Sequence, residues 1–364
     1  MLKLISSFKK FLDIFLFEND GKNYIGCLAH ELHHQLKSIY VRECSLALDP
    51  MVATYKISKS DIPKFHPVVM SIFPLYFYEL TDCYQSASTG LIKLGNNDLI
   101  VQEFSWGWGK KRTSALWPKW SINTKIINNK NGVYVCSGRG YHGIVDDLTH
   151  ICFFSERLKN STIIIDESNK WLYGLVNALF PTLKLELVKP RTLVNSSNLY
   201  ATTKAPLAEF IHPRLLVDLK KYVGLKLGIQ EIHEKIFVSR AKSKNRYWDG
   251  ELELEKKLEG MGFYIARLEI MSVVDQVRLF MGAKVIVGRH GAGLANICFC
   301  QFKIVVIEIF ESEHFNACYS SMAAALGHTY KSVRRLNSKE GDKILVQELV
   351  DSLAEFDAKE GLPE

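Results

Sequence analysis

The pattern of apolar and polar positions is clearest from about residue 160 onward. Short, continuous apolar runs alternate there with segments whose apolar residues recur at helical spacing. Such a pattern is typical of a parallel sheet that helices cover on both faces, and it predicts an α/β, doubly wound architecture. The predicted strands are Thr162–Ile165, Lys184–Val188, Ile236–Ser239, Phe263–Ala266, Lys284–Val287 and Ile304–Ile309. The predicted helices are His212–Val223, Glu251–Glu259, Val273–Met281, Phe315–Leu326 and Asp342–Phe356.

The first 140 residues have a weaker pattern. The aromatic stretch Trp106–Trp120 is expected to form a loop, and the polar stretch Ser196–His212 is the best candidate for a linker. A chain of 364 residues is about twice the usual domain size, so we expect two Rossmann-like α/β domains that face a cleft, residues 1–204 and 205–364. The strands predicted in this first part are Ser71–Phe77, Leu99–Phe104 and Val133–Cys136.

The N-terminal segment and the overall charge bear on location and partners. Apolar residues of Met1–Phe17 recur at helical spacing between lysines, which predicts an amphipathic helix that packs on its own domain or lies on a membrane surface. The segment lacks the pattern of an export signal, and the eight cysteines are scattered, so we expect a reducing cytoplasm without disulfides. The net charge of +7 is spread out, which favours an anionic small ligand or membrane surface over a nucleic acid.

A glycine-rich turn follows the predicted strand at Lys284–Val287. Gly291 and Gly293 let the backbone approach a ligand closely, and the free amides at the start of the following helix attract an anion. Arg289 and His290 add hydrogen-bond donors. The turn is therefore predicted to bind a diphosphate, although glycines at this point could also serve only to shape the turn.

The next strand ends at an acidic residue, Glu308, which could accept hydrogen bonds from a ribose diol. This arrangement also occurs in dinucleotide-binding enzymes, whose fingerprint is G-x-G-x-x-G. Here the third glycine is replaced by Asn296, which disfavours a nicotinamide cofactor.

A separate motif, His30-Glu31-Leu32-His33-His34, has the H-E-x-x-H spacing. On a helix, His30 and His34 could bind one zinc ion while Glu31 acts as a general base. A zinc-dependent hydrolase is therefore an alternative function, but no residue is marked as the third protein ligand that it would need.

An ordered set of motifs from Ile236 to about Ser332 resembles the C-terminal half of glycosyltransferase family 61. The family has an arginine after a strand, a second arginine, a Gly-Phe turn, a glutamine on a helix, an H-G-A-G-L-x-N loop, and an apolar strand that ends in glutamate. Asp249-Gly250 stands where the family often has Asn-Glu. The matching residues are Arg240, Arg246, Gly262-Phe263, Gln276, His290 to Asn296, and Val306-Ile307-Glu308.

The resemblance extends into the N-terminal half, where family members have a histidine followed four residues later by aspartate. His142 and Asp146 fit this motif. Family 61 enzymes are inverting transferases with the two-domain GT-B fold. The resemblance thus implies an acceptor-side domain at 1–204 and a nucleotide-sugar-binding domain at 205–364. It implies a glycan or lipid-linked glycan as acceptor, in capsule or lipopolysaccharide synthesis on the cytoplasmic face of the membrane.

Inversion requires that the acceptor hydroxyl lose a proton as it attacks. Asp146 is the first candidate base and His142 the second, because positions four apart share one helix face. Alternatively, Asp146 and Asp147 are ordinary first-turn acids and His142 only packs.

No Asp-x-Asp motif is placed to hold a metal, so no metal ion is expected to be obligatory, and a divalent ion stays possible. A non-catalytic, ligand-binding relative is the further alternative. The residues expected to bind the donor are Arg240, Arg246, Arg289, His290, Gly291, Ala292, Gly293, Asn296 and Glu308.

Overall fold

The computed structural model describes residues 41–48, 51–59, 62–72, 75–94, 100–101, 123–127, 131–205, 208, 211–229, 233–241, 248, 250–311, 316–336 and 338–360. Several predicted features lie outside these residues. They are the N-terminal helix, the H-E-x-x-H motif with His30, Glu31 and His34, most of the expected strand Leu99–Phe104, the Trp106–Trp120 loop and Arg246.

The N-terminal half is built mainly of strands. In the described part of the chain, six of them form a mixed sheet in the order β1-β4-β13-β9-β10-β11, in which only β4 runs against its neighbours. A second sheet has the order β7-β6-β5-β12-β8, and β2 pairs with β3. The strands are β1 (Val41–Leu48), β2 (Met51–Lys59), β3 (Ile62–Ile72), β4 (Leu75–Leu80), β5 (Cys83–Ser86), β6 (Ile92–Leu94), β7 (Ile100–Val101), β8 (Asn123–Ile126), β9 (Val133–Cys136), β10 (Thr162–Asp166), β11 (Lys184–Val188), β12 (Thr192–Ser196) and β13 (Leu199–Thr202).

Helical crossovers link the parallel strands of the mixed sheet. A π-helix (Gly143–Leu148) leads into α1 (Thr149–Phe153) and α2 (Ser155–Leu158) between β9 and β10, and α3 (Lys170–Leu179) lies between β10 and β11. The chain then returns to the other side of β9 as β13. The strand order therefore reverses between β9 and β13, and ligands of such sheets bind in the crevice outside the carboxyl ends of the strands at this kind of point.

The C-terminal half contains the predicted parallel sheet, with the strand order β15-β14-β16-β17-β18 among the described residues. Here the order reverses between β14 and β16. Its strands are β14 (Lys235–Val238), β15 (Tyr264–Ala266), β16 (Val285–Arg289), β17 (Val305–Glu311) and β18 (Thr329–Arg335). Its helices are α4 (Pro213–Leu227), α5 (Glu251–Glu259), α6 (Val273–Met281), a 3₁₀ helix (Ala292–Phe299), α7 (Cys318–Leu326) and α8 (Lys339–Glu360).

The two halves share one apolar core. Ile163 of β10 and Ile236 of β14 belong to the same cluster of buried side chains. Between the halves α3 packs closely on α6, because a Cβ built on Gly174 would lie 3.2 Å from Val273 Cγ2. The chain is thus a mixed α/β protein with several sheets. Its division into two Rossmann-like domains of the GT-B type stays a prediction.

Most of the elements predicted from periodicity are confirmed, and two expectations are wrong. The expected strand at Ser71–Phe77 is divided between β3 and β4, with Pro74 in the sequence between them. Proline lacks the amide hydrogen that a central strand needs. The expected linker Ser196–His212 contains β13, whose residues are all buried at the centre of the mixed sheet. Its short apolar run was masked by the polar residues around it.

Candidate active site

The predicted site residues lie at the two points where strand order reverses. Arg240 and the loop that begins at His290 follow β14 and β16, while His142 and Asp146 follow β9. The two groups of residues are close together. Gly140 has a φ of 54°, and a Cβ built on it would lie 3.1 Å from Cβ of Ala292. The fold thus brings the C-terminal glycine loop and the segment that leads into the N-terminal His–Asp motif into contact.

Arg240 and the glycine loop are fitted to each other. Arg240 Nη1 donates to the carbonyl oxygen of His290 at 3.0 Å. A Cβ on Gly291 would lie 1.6 Å from the same nitrogen, so any other residue at this position would displace the guanidinium of Arg240 from its present place. A Cβ on Gly293 would lie 2.9 Å from Val238 Cγ1 and 3.0 Å from a carbon of Leu268. The loop backbone therefore lies directly on the end of β14.

Glu251 connects the two arginines that follow β14 and β16. It is the first residue of α5, and its side chain is fully buried. One oxygen accepts the backbone N–H of Arg240 at 2.6 Å, and the other accepts from Arg289 Nη1 at 2.6 Å. Arg289 also forms an ion pair with Glu311. The structure thus places the Arg289 side chain between two carboxylates inside the protein, and the predicted contact with a donor stays a prediction.

His290 is held by a buried acid. Its Nδ1 lies 2.5 Å from Glu308 Oε1, and the Tyr330 hydroxyl donates to the other oxygen at 2.5 Å. Burial raises the pKa of Glu308, and the hydrogen bonds from His290 and Tyr330 oppose this effect. The ring of His290 also stacks on Phe310. Because both oxygens of Glu308 already accept from protein groups, the geometry supports orientation of His290. The predicted ribose contact of Glu308 stays a prediction.

His142 and Asp146 form the second histidine–carboxylate pair. His142 Nδ1 lies 2.7 Å from Asp146 Oδ2. The other carboxylate oxygen accepts the backbone N–H of Ala205 at 3.3 Å. The His142 side chain is 17% exposed and that of Asp146 only 2%. Of the two, the imidazole is therefore the more exposed group, and the carboxylate lies where it can orient the ring.

A buried lysine contacts the π-helix that carries Asp146. Lys204 Nζ donates to Asp147 Oδ1 at 2.9 Å, to the Tyr134 hydroxyl at 2.7 Å, and to the carbonyl oxygen of Asp146. Asp147 also accepts the N–H of Gly138 at 2.7 Å. Burial alone would lower the pKa of Lys204, but Asp147, Tyr134 and Asp146 together raise it above its usual value. Lys204 therefore stays charged and ties the π-helix to the end of β13.

Two tyrosines join the histidine pairs. The ring of Tyr141 meets the edge of His142 with centroids 5.3 Å apart, and it meets Tyr319 at 5.5 Å. Tyr319 in turn lies 5.4 Å from the ring of His290. The Tyr141 hydroxyl donates to the carbonyl oxygen of Ala208 at 2.6 Å. The two histidines thus lie on one continuous aromatic cluster that crosses between the halves.

Two further residues of the resemblance support the loops. Asn296 is buried and donates to the carbonyl oxygen of Gly293 at 3.0 Å, which closes the turn after the glycines. Gln276 donates to the carbonyl oxygen of Leu268 at 2.8 Å and accepts from the indole N–H of Trp171 at 3.2 Å. Gln276 therefore joins the two halves.

Sequence reasoning missed Glu251, Lys204, Tyr319 and Tyr330. Glu251 has the signal of an acid in the first turn of a helix, but that pattern also fits a surface residue that interacts with the helix dipole. Lys204 has no local signal, because a single lysine in a polar stretch is usually solvated. Each partner of these residues is distant in sequence, so only the folded chain identifies them.

Metal ligands and membrane spans were searched in the described part of the chain. No group of three or more His, Cys, Asp and Glu side chains there could hold a metal ion. The His30 motif lies outside those residues, so this result does not test the zinc-dependent hydrolase. None of the described helices combines the length and apolar character that a bilayer span requires.

The chain was compared with known proteins. The family model described as Glycosyltransferase 61 matches residues 140–307, a range that includes His142, Asp146, Arg240 and the glycine loop. The predicted resemblance is thereby confirmed: the chain carries a domain of glycosyltransferase family 61 and is a glycosyltransferase. No curated protein matches the sequence significantly.

Among the solved structures that are similar to this chain is the bacterial iron-containing dodecameric glycosyltransferase TibC from enterotoxigenic E. coli H10407. The identity is 10%, the match covers 89% of this chain and 96% of that chain, and the TM-score is 0.31. A similarity of this degree carries no argument about the fold or the function of this chain.

Proposed function

We propose that this glycosyltransferase moves a sugar from a nucleotide-sugar donor to a glycan or glycolipid hydroxyl, with inversion at the anomeric carbon. The observation that supports the proposal is that the two groups of predicted site residues lie next to each other, joined by the Tyr141–Tyr319 contact. The glycine loop with Arg240 comes from one sheet, and the His142–Asp146 pair comes from the other. An anion site opposite a general base is what a single in-line displacement requires.

The donor diphosphate binds at the C-terminal half in this proposal. Arg240 supplies donors, and His290 donates through Nε2 when its ring carries both protons. The backbone from Gly291 to Gly293 provides a surface whose only side chain is the methyl group of Ala292. Preorganised donors stabilise the negative charge that develops on the departing diphosphate. Glu308 and Tyr330 hold the His290 ring so that it needs no reorganisation during the reaction. Glu251 acts one step further away, by fixing the backbone at Arg240.

The acceptor hydroxyl is deprotonated at the N-terminal half. The sequence favoured Asp146 as the base over His142, but burial and hydrogen bonding support the reverse order. Asp146 accepts from Nδ1 and holds the ring, so that Nε2 of His142 takes the proton from the hydroxyl. A general base placed in this way contributes about 10²- to 10⁴-fold to the rate.

The biological setting is proposed on the resemblance and the sequence pattern. The acceptor is a glycan or lipid-linked glycan of a capsule or lipopolysaccharide, and assembly takes place at the cytoplasmic face of the membrane. The amphipathic pattern of Met1–Phe17 supports peripheral contact with that membrane. No nicotinamide cofactor or nucleic acid takes part, and no metal is obligatory.

The test is turnover of a panel of nucleotide-sugars by the purified chain, with a pooled set of glycan and glycolipid acceptors. The expected result is release of a nucleoside diphosphate with one donor and a product of inverted anomeric configuration by ¹H NMR. Retention of configuration would overturn the single displacement. Zinc-dependent hydrolysis that is lost in His30→Ala, with no nucleotide-sugar turnover, would favour the hydrolase. Nucleotide binding without any turnover would favour a non-catalytic relative.

A further inference from the structure

The segment that follows β13 is hydrogen-bonded to the residues that orient the proposed base. Lys204 and Ala205 are the last residues of the N-terminal half before the chain runs towards α4. Lys204 Nζ donates to the carbonyl oxygen of Asp146 and to Asp147 Oδ1, and the N–H of Ala205 donates to Asp146 Oδ1. The crossover between the halves is therefore bonded to the very residue that orients His142.

The ammonium group of Lys204 is buried and hydrogen-bonded. It has three described partners, which are a carboxylate, a phenol and a carbonyl, and the lysine side chain is almost entirely buried. A buried charge is tolerated only when it is paired and hydrogen-bonded. An apolar side chain would satisfy none of these acceptors, so the lysine helps to fix the distance between β9, β13 and the π-helix.

The π-helix gives this contact a consequence for the site. Gly143–Leu148 carries Asp146 and Asp147 on successive residues, so the two carboxylates point in different directions: Asp146 accepts from His142, and Asp147 accepts from Lys204. Asp147 is held on its other oxygen by the N–H of Gly138. A shift of Asp147 would therefore carry Asp146 with it and misalign the hydrogen bond to His142.

We propose that Lys204 is a positioning residue for the reaction, which aligns the His142–Asp146 pair through Asp147 and the Asp146 carbonyl. Lys204 does not touch substrate. It makes the geometry of the base depend on the crossover segment, whose continuation contacts Tyr141 through Ala208. This inference rests on the proposed function for its catalytic consequence, but the alignment itself can be measured without turnover.

The first readout is the ¹H NMR resonance of the His142 Nδ1 proton in its hydrogen bond to Asp146, which is assigned by its loss in His142→Gln. The test variant is Lys204→Met with Asp147→Asn, which removes both charges of the buried pair at similar side-chain size. We expect the resonance to shift or disappear, while that of His290 bonded to Glu308 is retained. The matched control is Lys125→Met with Glu186→Gln, a lysine–carboxylate pair on the surface of the same half.

The second readout is kinetic and uses the nucleotide-sugar that the wild-type protein turns over. We expect kcat of the test variant to fall about 10- to 100-fold, which is less than the about 10²- to 10⁴-fold contribution of a general base because the base is misaligned and not removed. Donor affinity should change by less than about twofold. A purely structural role would lower the thermal midpoint and the active fraction but leave the His142 resonance of the folded protein in place.

The outcomes separate the two proposals. A folded test variant with an unchanged His142 resonance and wild-type kcat overturns the role of Lys204. If the wild type itself turns over no nucleotide-sugar, loss of the resonance in the test variant still supports the positioning role, while the proposed function is contradicted. If the double variant fails to fold by circular dichroism, Tyr134→Phe decides. It removes one partner of Lys204, and an unchanged resonance and kcat there overturn the inference.

Discussion

The ring of Tyr141 meets the ring of Tyr319 edge to face, with centroids 5.5 Å apart and planes at 87°. Tyr141 directly precedes His142, and Tyr319 contacts His290. The two histidines that we assign to opposite substrates are therefore linked by one aromatic contact between the halves. Because buried aromatic side chains resist displacement, this contact helps to hold the two histidines at a fixed separation.

The contact can be measured with a double-mutant cycle of Tyr141→Leu and Tyr319→Leu in urea unfolding. Edge-to-face pairs contribute about 0.5–1.5 kcal/mol beyond their area, so we expect a coupling free energy in that range. Tyr141→Phe keeps the ring and loses only the hydrogen bond to Ala208, which serves as a control for the hydroxyl. Strictly additive losses in the two single variants would show that the rings do not stabilise each other.

His142→Ala is expected to lower transfer by about 10²- to 10⁴-fold, because the reaction loses its base. Asp146→Asn is also expected to abolish most transfer, since the amide cannot hold the ring in the same way. Nucleotide affinity, measured by calorimetry, should stay within about twofold of wild type in both, because the changes lie in the other half from the proposed diphosphate site. Full turnover by Asp146→Asn would remove Asp146 from the mechanism.

Gly293→Val and His290→Ala are expected to weaken nucleoside diphosphate binding at least about tenfold, which corresponds to roughly 1.4 kcal/mol. The valine would push the loop off Val238 and Leu268, and the alanine would remove a donor. Gly260→Ala is the matched control, because a Cβ there would lie 3.4 Å from the Lys257 carbonyl oxygen, an ordinary contact. Equal calorimetric affinities in Gly293→Val, Gly260→Ala and the wild type would place the nucleotide elsewhere.

Burial lowers the pKa of His328 from 6.5 to about 4. Above pH 6.5 the ring is neutral in both the folded and the unfolded chain, so protonation of His328 does not reduce the free energy of unfolding. As the pH falls towards 4, the unfolded chain takes up the proton first, so stability declines. Between pH 7.5 and 5 the loss from this residue is about 2 kcal/mol.

The measurement for His328 is urea unfolding at both pH values. His328→Gln has no titrating group and should show a smaller decline in the free energy of unfolding than the wild type. Burial also lowers the pKa of His150, so part of the decline should persist in the variant. A wild type that is equally stable at pH 5 and 7.5 would contradict the neutral state of both buried rings.

The elements of the C-terminal half could be predicted because their pattern is local. Continuous apolar strands, helical spacing and a glycine turn identify a parallel sheet, and α5 and α6 have the predicted bounds. The mixed N-terminal sheet could not be predicted, since β13 pairs with β9 and β4 from distant parts of the sequence. Periodicity carries no information on such pairing.

The site shows the same limit. The resemblance identified His142, Asp146, Arg240 and His290, which the fold brings close together. It did not reveal that Glu308 lies fully buried behind His290. Burial depends on which strand covers which side chain, and that is a property of the whole sheet rather than of a motif.

A thermal-shift comparison of nucleoside diphosphates, nucleotide-sugars and zinc, with the wild type and Gly293→Val, tests the central claim most directly. A ligand at about 100 times its dissociation constant adds roughly 2.7 kcal/mol of stability. The account predicts that one nucleoside diphosphate and its sugar derivatives raise the midpoint of the wild type and that Gly293→Val loses most of this shift. A shift with zinc alone, or an equal nucleotide shift in Gly293→Val, would contradict the account.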